Sequence, residues 1–453
     1  MDSLMFLLLN FFLLLPKPSN CKLLLVYVDG FSGANFYQYS TLPAFQHFER
    51  DGVWCDMLYG VFPTQSIPSQ WSLLTGTYPS EHGLVANHFH SSSRAAYFLA
   101  GARPSDLKRT WWKDREPLFI TAKRSGARVA VFGWPFICEM AFPWKLDICE
   151  KPSSSVRAQT RTSNNYDNYN DVRPVPVADR ELNYAKVERI KNATRHHQLT
   201  MVYFDGIRRA AESNGIHVLN DLALEGNPID ELNRFLTVMQ DFQRKHEPDL
   251  NIIVVSAHGL VGVPERNQRF LEDYLDMTLI NTTIGYGAVK HVIANKGLTH
   301  TIFDSLRHGN PIPGVKVYYT DPRVSDMPKS FNYYQNSDTI TELILVAELE
   351  YYIRTRKAGK QVPGPATTDE VRAASGYNHE YPDMLGILLA SGPVFKRGYR
   401  KPISRLLDLH SLICQVLSIS CPADNGEFGM IKDILMNPNQ QYFPFVIQPD
   451  APE

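Results

Sequence analysis

Two aspartates and a histidine stand where apolar runs stop. Asp29 follows K-L-L-L-V-Y-V, Asp205 follows L-T-M-V-Y-F, and His258 comes just past N-I-I-V-V-S. An aspartate after a strand ordinarily caps a helix or forms a turn, and any one of the three taken singly reads that way. Three at equivalent ends of one sheet read differently, because ligand sites in open α/β sheets form beyond the carboxyl ends of the strands. Carboxylate oxygens beside an imidazole nitrogen suit a hard-to-borderline cation such as zinc.

Those side chains need a sheet to hold them. Residues 22–28, 128–132, 199–204, 251–256 and 385–390 are apolar runs of the kind found in strands covered on both faces. Helical periodicity lies between several of them. Over 229–246 it places Leu232, Phe235, Leu236, Met239 and Phe242 on one face. The alternation predicts an α/β fold with a doubly wound, mainly parallel sheet. Polar residues 153–179 are expected to form a surface insertion and 359–368 a loop. No internal repeat or break in composition demands a second domain.

The chain has 453 residues, 44% of them apolar, and a net charge of -1. Without a basic excess, a nucleic acid polymer is not an expected partner, so any anionic ligand must be held by local groups. Residues 4–15 read L-M-F-L-L-L-N-F-F-L-L-L, too short to span a bilayer and ended by Pro16 and Pro18. The organisation expected is a signal peptide over 1–20, one α/β domain over 21–436 and a Pro-rich tail over 437–453. The n-region departs from the rule in carrying Asp2 and no basic residue. No second run is long enough for a membrane span. Six cysteines fit an oxidising compartment, with Cys138/Cys149 and Cys414/Cys421 spaced as two short-loop pairs. Asn192-Ala-Thr and Asn281-Thr-Thr are glycosylation sequons. A secreted, glycosylated protein is the expectation.

Residues 62–87 read F-P-T-Q-S-I-P-S-Q-W-S-L-L-T-G-T-Y-P-S-E-H-G-L-V-A-N. This resembles the nucleophile segment of the ectonucleotide pyrophosphatase/phosphodiesterase family, in the alkaline-phosphatase superfamily. Further segments match in the same order: V-Y-V-D-G at 26–30, Y-F-D-G at 203–206, V-V-S-A-H-G-L at 254–260, G-Y-N at 376–378 and M-L-G-I-L-L-A-S-G-P-V-F-K at 384–396. The resemblance implies an alkaline-phosphatase-like fold and a hydrolase site in which two zinc ions act on a phosphodiester.

Carried across by position, the resemblance gives the nucleophile-side metal Asp29, Ser66 and His258, while its second carboxylate falls on Ala257. Ser66 stands at the nucleophile position. The second metal keeps Asp205, but its two histidines fall on Arg209 and Ser375. Asp205 and Arg209 lie at i,i+4, so on a helix they share a face, and a guanidinium cannot ligate a cation. The phosphate-holding asparagine falls on Ser69 and the histidine after it on Gln70. His82 is expected to make a scaffold contact, and His379 to be a turn or surface residue.

With Ala257, Arg209 and Ser375 in ligand positions, the expectation is at most one zinc and a catalytically weak or inactive pseudoenzyme. One alternative is a one-metal or Arg-assisted phosphodiesterase acting on nucleotide or lipid-type esters through Ser66. Another is a binding protein whose Arg209, Ser66, Ser69 and Ser375 hold a small phosphate-bearing ligand.

Overall fold

The structure is a computed structural model that describes residues 21–91, 93–94, 96–100, 111, 115–140, 144–152, 182–285, 287–333, 339–356 and 371–437. The signal segment, the 153–179 insertion, the 359–368 loop and the tail from 438 onward lie outside the described residues.

Among the described residues eight strands make the central sheet: β1 (Lys22–Val28), β2 (Val53–Tyr59), β3 (Val129–Phe132), β4 (Ile148–Glu150), β5 (Leu199–Phe204), β6 (Leu250–Ser256), β7 (Gly386–Ser391) and β8 (Tyr399–Arg405). Their order is β8-β2-β7-β6-β1-β5-β3-β4. Only β7 is antiparallel to its neighbours, β2 and β6; the other pairings are parallel. The expected mainly parallel sheet is therefore present, and its five anticipated strands all lie in it. The three others, β2, β4 and β8, carry polar or charged residues that break up their apolar runs.

The helices that matter for the site and the core are α1 (Pro43–Asp51), α2 (Ser66–Thr75), α3 (Tyr184–His196), α4 (Gly206–Asn214), α5 (Pro228–His246) and α6 (Asp408–Leu417). The pleat of β1 divides the core. Leu23, Leu25 and Tyr27 pack with Ile67, Trp71 and Leu74 of α2 and with Leu409, Leu412 and Ile413 of α6. Leu24, Val26 and Val28 pack with Phe45 and Phe48 of α1, Ile190 of α3 and the apolar stripe of α5. Helices on both faces explain why β1 is apolar from Leu23 to Val28. For α5 the sequence also supplies the ends: Asn227 accepts hydrogen bonds from the Ile229 and Asp230 N–H groups, Pro228 opens the helix, and Arg244, Lys245 and His246 occupy its last turn.

A second feature was not anticipated. Ile280–Ile284, Val289–Ala294, Val315–Tyr319 and Leu343–Ala347 form a four-stranded antiparallel sheet with its own apolar cluster. Its strands are short, and three of the four carry polar residues, so their pairing depends on contacts distant in sequence. The cysteines pair as Cys138–Cys149 and Cys414–Cys421, the two short loops expected, while Cys55 forms no disulfide among the described residues.

Candidate active site

β6, β1 and β5 are adjacent, with Tyr27 opposite Val255 and Val28 opposite Phe204. Their carboxyl ends therefore bring His258, Asp29 and Asp205 to one end of the sheet. The Asp29 N–H donates to Phe204 O at 2.8 Å, carrying the ladder one residue past the strand. Gly30 then turns the chain with φ +82°, and a Cβ there would meet Leu260 Cδ1 at 2.7 Å and Arg208 Cβ at 3.2 Å. Glycine is required both by the dihedral angle and by the close approach.

Ser66 comes from the first residue of α2, on the face of the sheet that carries Tyr27. The helix start is held by two side chains of the motif region. Gln65 Oε1 accepts from the Asn87 N–H at 2.7 Å, and Asn87 Oδ1 accepts from the Ile67 N–H at 3.0 Å. That exchange satisfies an otherwise orphaned helix donor. It also fixes the direction in which Ser66 projects.

Asp29 is wholly buried and surrounded by donors. Ser66 Oγ lies 3.0 and 2.8 Å from its two oxygens, the Tyr203 hydroxyl donates at 2.6 Å and Arg208 Nε at 2.8 Å. His258 Nε2 is 3.2 Å from Oδ1, an electrostatic contact without hydrogen-bond alignment. Burial by itself would raise the Asp29 carboxyl. His258, Arg208 and the Tyr203 hydroxyl outweigh that and hold it well below the usual carboxylate range. The Tyr203 phenol is pushed well above its ordinary value, by burial first and by the Asp29 charge second.

Asp205 is the residue before α4 and caps none of its N–H groups. Its carboxylate takes side chains instead: Arg209 Nε donates to Oδ1 at 2.7 Å and Arg208 Nη2 to Oδ2 at 3.0 Å. The Asp205–Arg209 pairing follows from the i,i+4 spacing. The expected second neighbour, Ser375, is replaced in that role by Arg208, for Ser375 makes no hydrogen bond to Asp205 among the described residues. The loop after Ser375 is tied to the nucleophile segment, with the Gly376 N–H donating to Thr64 O at 2.9 Å and Thr64 Oγ1 to Tyr377 O at 2.9 Å.

Arg208 was not singled out in the sequence, although the signal was there: it stands at i,i+3 from Asp205 on the same helix face as Arg209. Tyr203 was missed because a tyrosine inside an apolar strand reads as core.

Ala257, the position at which the resemblance implies a carboxylate, is fully buried and offers only a methyl group. Ser69 is buried and its Oγ has no hydrogen-bond partner, whereas Gln70 Nε2 donates to the Tyr203 hydroxyl at 3.3 Å. His82 lies outside the cluster, its Nε2 3.0 Å from Ser72 Oγ and its Nδ1 accepting from the Leu84 N–H. His379 is in a turn, but it is buried against Phe331 and not on the surface. Desolvation lowers its pKa.

The residues fit zinc poorly. His258 is suitably oriented, with Nδ1 3.1 Å from Gly259 O and Nε2 buried without a hydrogen-bond partner among the described residues, the orientation of a metal-ligating imidazole. Against this, Asp29 Oδ2 and both Asp205 oxygens already accept from protein donors, and the single Ser66 hydroxyl proton lies within reach of both Asp29 oxygens. Both Asp205 oxygens accept from guanidinium groups, Oδ1 from Arg209 and Oδ2 from Arg208. That half of the site does not fit a metal.

Comparison with known proteins bears on the family and the fold. A family profile described as type I phosphodiesterase / nucleotide pyrophosphatase matches residues 23–378. Human ectonucleotide pyrophosphatase/phosphodiesterase family member 5 is 26% identical over 95% of this chain and 81% of its own length. The human bis(5'-adenosyl)-triphosphatase is 25% identical over 92% and 82% respectively. Murine ectonucleotide pyrophosphatase/phosphodiesterase 5 superimposes with a TM-score of 0.74 at 23% identity, covering 91% of this chain and 100% of that one, which shows the fold. An inactive Thr-to-Ala variant of the murine protein has been solved in complex with AMP, again with a TM-score of 0.74.

Proposed function

The chain belongs to the type I phosphodiesterase / nucleotide pyrophosphatase family, and from that membership we propose that it is a secreted pseudoenzyme, weak or inactive in two-zinc phosphodiester hydrolysis. The observation that carries this reading is the pairing of Asp205 with Arg209 at 2.7 Å, a cation-repelling side chain bonded to the one carboxylate left at the second metal position. Ala257 removes a further ligand, and Ser375 another. In this family zinc neutralises phosphate charge and activates the nucleophile when bound. Of the residues here, Asp29, Ser66 and His258 could hold at most one ion.

Ser66 gains little from its surroundings as a nucleophile. Its hydroxyl lies against Asp29, but a carboxylate held well below the usual range is a poor base. Nor is Arg208 positioned as a phosphate clamp, since its Nε, Nη2 and Nη1 each donate to a carboxylate: Asp29, Asp205 and Glu212. Secretion is supported by the apolar run at 4–15 and the two disulfides. Among the described residues no helix is long and apolar enough to cross a membrane.

The test is hydrolysis of a chromogenic nucleotide phosphodiester by the mature chain and by Ser66→Ala, with AMP as a binding probe. Turnover that disappears in Ser66→Ala would overturn this reading in favour of hydrolysis through Ser66. An AMP-dependent rise in melting temperature without turnover identifies a phosphate-binding protein, and neither response leaves its surfaces as the functional part.

A further inference from the structure

We infer that the Arg208 guanidinium is a resident cation: it bridges the strand-end carboxylates Asp29 and Asp205 and keeps divalent ions out of the site. This rests on the family reading above and goes beyond it, from at most one ion to none in the wild-type chain.

Asp29 and Asp205 end neighbouring parallel strands and both are buried, at 0% and 2% exposure. Two carboxylates brought together in this way repel each other, and each carries a desolvation penalty, so the fold needs positive charge between them. Arg208 supplies it from α4. Its Nε lies 2.8 Å from Asp29 Oδ2, its Nη2 3.0 Å from Asp205 Oδ2 and its Nη1 2.7 Å from Glu212 Oε2. A planar guanidinium reaches carboxylates in different directions at once, which an ammonium cannot reproduce with the same geometry. Arg209 holds the remaining oxygen of Asp205. Five charged side chains are thus joined in one network, three carboxylates with two guanidinium groups.

The network bears directly on metal affinity. Asp29 Oδ2 takes three donors, from Ser66, Tyr203 and Arg208, so an ion at that oxygen would have to displace them. It would also lie close to a fixed positive charge, and the repulsion scales with the charge of the ion. Without Arg208, the surroundings of Asp29 resemble a metal site. Asp29, Ser66 Oγ and the hydrogen-bond-orphaned Nε2 of His258 would offer three ligand atoms, the number that open zinc sites take from protein. The metal site is thus masked by Arg208 and only partly dismantled.

The experiment compares the mature wild-type chain with Arg208→Ala and Arg208→Lys. Each is equilibrated with buffered free zinc, freed of unbound metal and analysed for zinc per chain, and each is melted in zinc and in EDTA. We expect the wild type to carry substoichiometric zinc and to melt at the same temperature in both conditions. Arg208→Ala should bind zinc at least 10-fold more tightly, the scale on which a residue next to a metal site acts, and should melt higher in zinc than in EDTA. Arg208→Lys, which retains the charge, should resemble the wild type in zinc content.

A wild type that keeps one zinc per chain, or whose melting temperature falls in EDTA, overturns the inference. So does an Arg208→Ala chain with native circular dichroism and no gain in zinc. If Arg208→Ala does not fold, the wild-type and Arg208→Lys zinc contents decide. Hydrolysis by the wild type in EDTA would defeat the pseudoenzyme reading and leave the resident cation standing. Zinc in a wild type that turns nothing over would do the reverse.

Discussion

Tyr203→Phe isolates one of the bonds that keep Asp29 charged inside the protein. The phenol is buried and donates to Asp29 Oδ2 at 2.6 Å, so the substitution removes a hydrogen bond to an ion while leaving ring packing against Tyr27 intact. Hydrogen bonds to charged groups contribute about 1.5–3 kcal/mol, and no solvent discount applies at 4% exposure. Gln70 Nε2 loses its acceptor as well, which places the expected loss at about 2–3 kcal/mol. Unfolding entropy of about 2.1 cal/mol/K per residue converts that to a melting temperature lower by roughly 2–3 °C. Ser66→Ala removes a second donor to the same oxygen at 2.8 Å. In a double-mutant cycle followed by urea unfolding, the pair should show a coupling above about 0.5 kcal/mol, because either donor partly compensates for loss of the other. A Tyr203→Phe chain within about 0.5 kcal/mol of wild type would refute the premise that Asp29 is an ionised carboxylate held by these donors.

Acid should destabilise the fold well above the carboxylate range. Burial lowers His82 to about 3 and His88 and His291 to about 4, so all three are neutral in the folded chain. The unfolded chain takes up more protons below about pH 6.5. The stability these residues contribute is therefore complete above that pH and falls as the pH drops, by about 6 kcal/mol in total at pH 5; a melting temperature unchanged between pH 7.5 and 5 would contradict this. Gly386→Ala should lose folded protein on expression or cost more than about 3 kcal/mol, since a Cβ there would stand 1.8 Å from the Ser256 carbonyl oxygen. Gly429→Ala, with nothing within 4 Å of its Cβ, should leave the melting temperature nearly unchanged by scanning calorimetry. Replacing Cys138 and Cys149 together by alanine opens an 11-residue loop and should lower stability by about 3 kcal/mol in urea.

Much of this protein is legible in its residues alone. The apolar runs of β1, β5 and β6 define three strands covered on both faces, and the chemistry they carry begins where each run stops, at Asp29, Asp205 and His258. Ala257, Arg209 and Ser375 could be recognised as departures because each falls within an ordered series of motifs. Arg209 could also be paired with Asp205 from the helical repeat.

Tertiary structure decided what those departures mean. Strand order in a sheet is not encoded by the periodicity of a strand, so the adjacency of β6, β1 and β5 had to come from the folded chain. Arg208 is one more arginine on a polar helix until β1 and β5 lie side by side. Its reach to Asp29 spans 179 residues of sequence, and no local pattern encodes it. The same is true of Tyr203, whose ring belongs to the core while its hydroxyl belongs to the site. Sequence located the carboxylates, and the packing of two neighbouring strands against α4 determined which cation they face.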